Sequence, residues 1–221
     1  MHAIAHTGPL FLVANEFCDA LPIRQFVRQG KGWAERFVGA EGEALRFGLG
    51  PVSPQPALAH RLEDTKDGDL VELRPAAEEV MQQIGGRIAR HGGAGLVIDY
   101  GDWRALGDTL QALEDHAPAD PLATPGRADL TAHVDFEALA EACPCAHSRV
   151  ATQGVFLERL GITPRAQKLA QRLSGAALQS HIAAHRRLTH PAEMGNLFKV
   201  MGLYPARQAP PPGTERCRWR Y

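Results

Sequence analysis

Residues Leu10 to Ala14 form an uninterrupted apolar run that ends abruptly in Asn15-Glu16. The run is too short for a helix and too apolar for a half-exposed strand. It reads as a strand buried on both faces, of the parallel type. In open α/β sheets the polar residues just past the carboxyl end of such a strand face the ligand crevice. The chain therefore opens, with little before it, on what reads as the middle of an enzyme.

The succeeding segments fit an α/β protein with additions. Ile23 to Arg28 and Trp33 to Val38 alternate in polarity and are joined by Gln29-Gly30-Lys31-Gly32, a hairpin loop. A third short strand is expected over Ala44 to Phe47, so residues 23–49 read as a β-hairpin insertion. Gly50 to Gly68, rich in Pro and polar residues, reads as a long loop, and Leu70 to Leu73 as a brief strand. Arg74-Pro75 then opens a helix with Pro in its first turn. Val80, Ile84 and Ile88 recur in it at helical spacing, and Gly92-Gly93 stops it. Gly95 to Asp102 is a second buried strand with an acid at its carboxyl end, so helix and strand together make a crossover unit.

Further along, Thr109 to Leu113 reads as a strand and Asp120 to Gly126 as turns. A helix is expected near Phe136–Ala142 with Asp135 as its N-cap. Arg149 to Thr152 reads as a strand, followed by helices from Thr152 or Gln153 to Leu160, from Thr163-Pro164 with Thr163 as cap, and from Gly175 to Leu188. Asn196 to Leu203 is the last ordered apolar element, and residues 205–221 read as an extended, mobile tail around Pro210-Pro211-Pro212.

A chain of 221 residues with net charge −1 suits one domain and carries no long-range field for nucleic acid. The Arg-rich end, Glu215 to Tyr221, is the local exception and reads as a solvated terminus. Cys18, Cys143, Cys145 and Cys217 do not complete a zinc pattern and read as reduced thiols. No apolar run is long enough for a membrane helix, and Met1 to Thr7 lacks the basic region of a signal peptide. The expectation is a cytoplasmic protein without a membrane or nucleic-acid partner.

Asn15-Glu16 and Asp99-Tyr100, at two strand ends, define a candidate crevice. Polar residues also sit at strand ends simply because the chain is leaving the core. Two long segments decide between these readings. Gly8-Pro9, then Val13-Ala14-Asn15-Glu16-Phe17 and Asp19-Ala20-Leu21-Pro22-Ile23-Arg24-Gln25, resemble the signature of the MidA-like family. Gly93 to Gly101, Gly107 to Ala112, Asp129 to Phe136, Thr152-Gln153-Gly154 and Met194-Gly195 to Val200 continue the resemblance in the family's order, over nearly the whole chain.

The MidA-like family comprises class I S-adenosylmethionine (SAM)-dependent methyltransferases, whose mitochondrial members assist complex I assembly by methylating an arginine of a subunit. The resemblance implies a Rossmann-like α/β sheet, SAM as methyl donor and a protein substrate such as a respiratory complex subunit. The family places its glycine-rich SAM loop, and the acid that binds the SAM ribose, upstream of the Asn-Glu-Phe motif. Residues 1–221 therefore read as a single partial methyltransferase domain, from the fourth strand onward, with a helical C-terminal region. The alternative is a catalytically incompetent or partner-binding remnant. In either case Leu10–Ala14 becomes an edge strand, and self-association through the exposed sheet edge is expected. One rival stays open: Leu96 to Gly101, with a loop reaching Gly107, could itself be a first SAM motif.

Roles follow from the chemistry. An arginine substrate is planar and cationic, and a carboxylate clamps it bidentately. Glu16 and Asn15 are the candidate catalytic residues, with Asn15 also on the cofactor side. Asp19, Asp99, Tyr100 and His133 are the candidate substrate-binding residues, although Asp19 could cap a turn and His133 could be structural.

Overall fold

The computed structural model describes residues 7–217. The sheet that carries the candidate site begins with β1 (Leu10–Asn15). The chain then leaves this sheet. β2 (Arg24–Gln29), β3 (Gly32–Glu41), β4 (Ala44–Ser53) and, after a 3-10 helix over Pro56–Leu62, β5 (Leu70–Leu73) form an antiparallel sheet in the order β4-β3-β2-β5. Phe26, Trp33, Leu58 and Val71 close a small separate core beneath it. The expected loop from Gly50 is thus partly strand and partly 3-10 helix. Gly50 lies in β4, where a β-carbon would come within 2.7 Å of the Phe37 ring and force it to shift.

α1 (Pro75–His91) returns the chain to the first sheet. Its buried face is Ala77, Met81, Gly85 and Ile88, with Ile84 partly buried beside them. Gly92 and Gly93, both at positive φ, end it. β6 (Gly93–Asp102) then lies parallel to β1, and Leu10 pairs with Gly93 so closely that a β-carbon on Gly93 would overlap the Leu10 backbone.

β7 (Gln111–Glu114), β8 (Ala117–Ala119) and β9 (Asp129–Thr131) make a small antiparallel sheet, so the strand expected from Thr109 starts two residues later. β10 (Val134–Asp135) adds to β6 and leads into α2 (Phe136–Ala142), where Asp135 caps as expected, accepting from Ala138 N at 3.0 Å. β11 (Ala146–Arg149) and β12 (Ala151–Thr152) precede α3 (Gln153–Arg159), α4 (Ile162–Ala170), α5 (Gly175–Thr189) and α6 (Met194–Leu197). α4 is preceded by Gly161 in the left-handed region, and Thr163 is not its cap; its hydroxyl bonds Glu158 instead.

β13 (Phe198–Tyr204) inserts antiparallel between β6 and β11, and β14 (Glu215–Arg216) pairs with β11. The path is β1-β6-β13-β11-β14, a mixed α/β sheet in which β13 opposes its parallel neighbours. Met201 and Leu203 of β13 pack with Val97, Ile88, Phe136 and Leu139 in the main core. The last apolar element is thus a central strand. Nor is the tail simply extended: Pro211 is buried, Gly213 sits against Phe156 and Leu160, and β14 is ordered. The end of the expected tail, residues 218–221, lies outside the described residues.

β1 is an edge strand, and the expectation that it is buried on both faces fails. Leu10, Leu12 and Ala14 are half-buried, whereas Phe11 and Val13 are 79% and 63% exposed. Among the described residues β6 pairs with it and α1 packs on it, and the side chains of Phe11 and Val13 meet solvent.

Candidate functional site

The parallel register of β1 and β6 sets Asn15 opposite Ile98, and Glu16 N donates to Ile98 O at 3.0 Å. At that point the chain turns sharply. Glu16 has φ 47°, in the left-handed region that a side chain disfavours by roughly 1 kcal/mol or more. Glu16 and Asn15 are exposed, and Asn15 Nδ2 donates to Glu16 Oε1 at 3.1 Å.

The turn is held from below. Asp99, on β6, is buried, and its Oδ2 accepts Cys18 N at 3.0 Å and Asp19 N at 3.3 Å. Its Oδ1 accepts Tyr100 N at 3.1 Å. Burial pushes the Asp99 carboxyl up to about 6, helped by the neighbouring Asp19 and opposed by the three backbone N–H groups. Asp99 thus shapes the loop through three backbone N–H groups. Cys18, in the same pocket of low dielectric, is pushed up to about 12 by burial and by Asp99, which keeps it a neutral thiol.

Asp19 is the unusual member. It is 4% exposed, and the Tyr100 hydroxyl donates to its Oδ2. Its Oδ1 is buried with no hydrogen-bond partner, a costly arrangement unless something supplies a donor. Burial and the bond to Asp19 raise the Tyr100 hydroxyl, so it stays protonated and donating. The Tyr100 ring meets His133 edge-on at 5.7 Å and Phe198 at 5.4 Å. His133 N donates to Thr109 Oγ1 at 2.8 Å, and Thr109 in turn donates from N and Oγ1 to buried Glu72. Burial holds the His133 imidazole below its ordinary value, which favours the neutral ring.

One residue that sequence reasoning passed over ties these loops together. Arg74, just before α1, is 7% exposed and donates to Leu21 O at 3.3 Å, His133 O at 3.2 Å and Ala132 O at 3.0 Å. The carboxylates of Glu72, Asp99 and Asp19 favour its charge against the cost of burial. The same rim opens into a cleft of about 690 Å³ lined by Asp102, Thr109, His133, Glu193, Asn196 and Lys199. Lys199 is brought there because β13 pairs it with Asp99.

The structure thus gathers Asp19, Asp99, Tyr100 and His133 into one cluster, with His133 reaching the cleft. Asn15 and Glu16 stand on the outer, exposed edge of the same rim and do not line that cleft. Arg74, Glu72, Thr109 and Lys199 carried no local signal of a site, since their roles depend on contacts distant in sequence.

The glycines test the fit of a SAM-binding cradle, which needs backbone open to the cofactor after a strand. Gly101 fails, because a β-carbon there would overlap the Val134 backbone: the glycine admits β10, not a ligand. Of the two glycines in the rival reading of Leu96 to Gly107 as a first SAM motif, Gly101 is thus closed, whereas the β-carbon position of Gly107 is open. Gly93 is filled in the same way by Leu10.

Residues 1–155 match the family model Methyltransf_28, described as "Putative S-adenosyl-L-methionine-dependent methyltransferase". The chain is 37% identical over 209 residues to rat protein arginine methyltransferase NDUFAF7, mitochondrial, covering 90% of this chain and 47% of that protein. Against the human protein of the same name the identity is 36% over 207 residues, covering 90% and 46%. A COG1565 superfamily member from Burkholderia thailandensis, solved with S-adenosyl-homocysteine bound, superposes with TM-score 0.79 at 30% identity, covering 95% of this chain and 57% of that one. The chain spans about half the length of the curated relatives it matches. The expectation of a cytoplasmic protein is corrected by these relatives, which are mitochondrial proteins by name, as is a Drosophila homologue 30% identical over 208 residues.

Proposed function

The chain belongs to the Methyltransf_28 family of SAM-dependent methyltransferases, and from that premise we propose that its β1–β6–β13 rim is the acceptor side of a protein arginine methyltransferase site. The observation that carries this reading is the pair of carboxylates at the rim, Glu16 exposed and Asp19 buried with an oxygen lacking a donor. A guanidinium supplies a planar array of donors and a positive charge, which is what such a pair accepts. The relatives named protein arginine methyltransferase support the same acceptor. A respiratory complex subunit is the protein substrate that the MidA-like resemblance implies.

In this reading Glu16 clamps the guanidinium, and Asn15 steadies the Glu16 carboxylate through its amide on the cofactor side. Asp19, held by Tyr100, adds a buried negative charge beneath the rim. Asp99 and Arg74 position the loops without touching the substrate. We assign to His133, whose ring burial favours the neutral form, the proton that a methylated nitrogen sheds. SAM supplies the sulfonium methyl when bound. Gly93 and Gly101 are closed to it by Leu10 and Val134, and no cofactor contact beyond Asn15 is assigned.

The alternative reading is that this chain binds the acceptor but does not turn it over. Labelled SAM and an arginine-bearing peptide separate the two. Label on the guanidinium, lowered tenfold or more by Glu16→Gln, supports a competent enzyme. Peptide binding without transfer supports the binding module. Label on another residue type rejects both. For the second reading, calorimetry gives no SAM binding in the low micromolar range.

A further inference from the structure

The pair Cys143 and Cys145 lies outside the site just described, at the junction between α2 and β11. Pro144 separates them and fixes one backbone dihedral of the link. Their sulfurs are 3.4 Å apart and hydrogen-bonded to each other. A disulfide needs about 2.05 Å between sulfurs, so closure requires a shift of little more than 1 Å, within reach of side-chain rotation. Among the described residues no three His, Cys, Asp or Glu side chains gather here as a metal site would need.

Both residues are largely buried, at 8% and 9% exposure, yet Cys145 lines a cavity of about 300 Å³ together with His147, Tyr204, Arg216 and Cys217. On the other side Cys143 is pressed against α1, where a β-carbon on Gly85 would overlap its sulfur. Cys143 thus packs against α1 while Cys145 borders the cavity. A purely apolar packing role would be met equally by Ala or Val. It would not need two polarizable sulfurs in contact at the wall of a cavity.

We propose that Cys143 and Cys145 form a reversible dithiol–disulfide site, oxidised by hydrogen peroxide that enters through the cavity beside β11 and β14. The Cys145 sulfur, at the cavity wall, attacks one peroxide oxygen and the O–O bond breaks. Cys145 becomes a sulfenic acid, and its thiol proton leaves with the other oxygen as water. The Cys143 sulfur then attacks the Cys145 sulfur, the S–O bond breaks, and a second water carries off the Cys143 proton. The two sulfurs have lost two electrons, and one peroxide has become two waters. The hydrogen bond between the thiols lowers the Cys143 thiol, which suits Cys143 as the sulfur that closes the bond onto Cys145 at 3.4 Å. The disulfide ties the C-terminal end of α2 to the entry of β11.

The test treats the whole reduced chain with stoichiometric hydrogen peroxide and reads intact mass and peptide maps. The expected result is a loss of two hydrogen masses, a cross-link mapped to Cys143 and Cys145, and full reversal by dithiothreitol. Free thiols in the denatured protein fall from four to two. In Cys143→Ser, dimedone traps a sulfenic acid on Cys145. A disulfide joining Cys18 or Cys217 instead, oxygen addition without loss of hydrogen, or four intact thiols would each overturn the proposal.

Discussion

Arg74→Met tests whether the site is assembled by one buried cation. The methionine keeps much of the aliphatic bulk but removes every donor. The carbonyls of Leu21, Ala132 and His133 then lose their partner. An orphaned buried acceptor costs about 1–3 kcal/mol. Two of these bonds, at 3.3 and 3.2 Å, are long and take the low end of that range, while Ala132 O at 3.0 Å takes more. The carboxylates of Asp99, Asp19 and Glu72 also lose their common counter-charge. Relief of the cost of burying the cation offsets part of the loss. The net expectation is about 3–5 kcal/mol, the range for breaking a buried charge network from one side. For a domain of this size that lowers Tm by about 10 °C. Urea and thermal denaturation followed by circular dichroism measure it directly. Arg74→Lys, which keeps the charge but reaches fewer carbonyls, falls between parent and Arg74→Met. A loss below about 1 kcal/mol for Arg74→Met would refute the idea that Arg74 clamps the loops.

Asp99 gives a pH signature with a definite sign. Its carboxyl is raised from 3.8 to about 6 by burial, so its favourable contribution is full below 3.8 and is lost as pH rises through about 6. A shift of about two units corresponds to roughly 3 kcal/mol. Urea unfolding midpoints across that window should therefore fall with a steeper slope in the parent than in Asp99→Asn, and equal slopes would count against the assignment. The exposed edge of β1 predicts concentration-dependent association in analytical ultracentrifugation, reduced by Val13→Lys, since a lysine on an edge strand opposes pairing. A clean monomer of the parent at every concentration contradicts it. Gly101→Ala should destabilise by several kcal/mol or prevent folding, because its β-carbon overlaps the Val134 backbone and φ is 156°. A variant as stable as the parent would restore Gly101 as a candidate cofactor glycine.

What was legible in the sequence was local. The run Leu10 to Ala14 marks β1 and its acid-bearing end, because a strand's apolar pattern and its exit from the core lie next to each other in the chain. Asp135 was legible as a cap for the same reason, its acceptor lying three residues from Ala138 N. β13 was not legible as a central strand, since its neighbours β6 and β11 are distant in the chain and nothing in Phe198 to Tyr204 announces them. Arg74 looked like the residue before a helix-opening proline, and only the fold reveals that its guanidinium meets carbonyls 53 to 59 residues away. Phe11 and Val13 misled in the other direction. Apolar character reports the tendency to be covered, and the sheet leaves their face open. At the site, the acidic and aromatic members were found, but the division of labour was not. Asp99 is satisfied by backbone N–H groups while its neighbour Asp19 keeps an oxygen unpaired, and residue type alone does not separate the two.

Recognition of a guanidinium at the rim is the central claim, and it is tested most directly by binding an arginine-bearing peptide and its citrulline counterpart. Citrulline has nearly the same shape and lacks the charge, so it isolates the contribution of Glu16 and Asp19. Amide chemical shifts of the isotopically labelled chain locate the contact. The arginine peptide is expected to shift resonances of Glu16, Asp19 and His133, with the effect abolished in Asp19→Asn and absent for citrulline. Equal shifts from both peptides, or shifts confined to surfaces away from the β1–β6–β13 rim, would contradict the account.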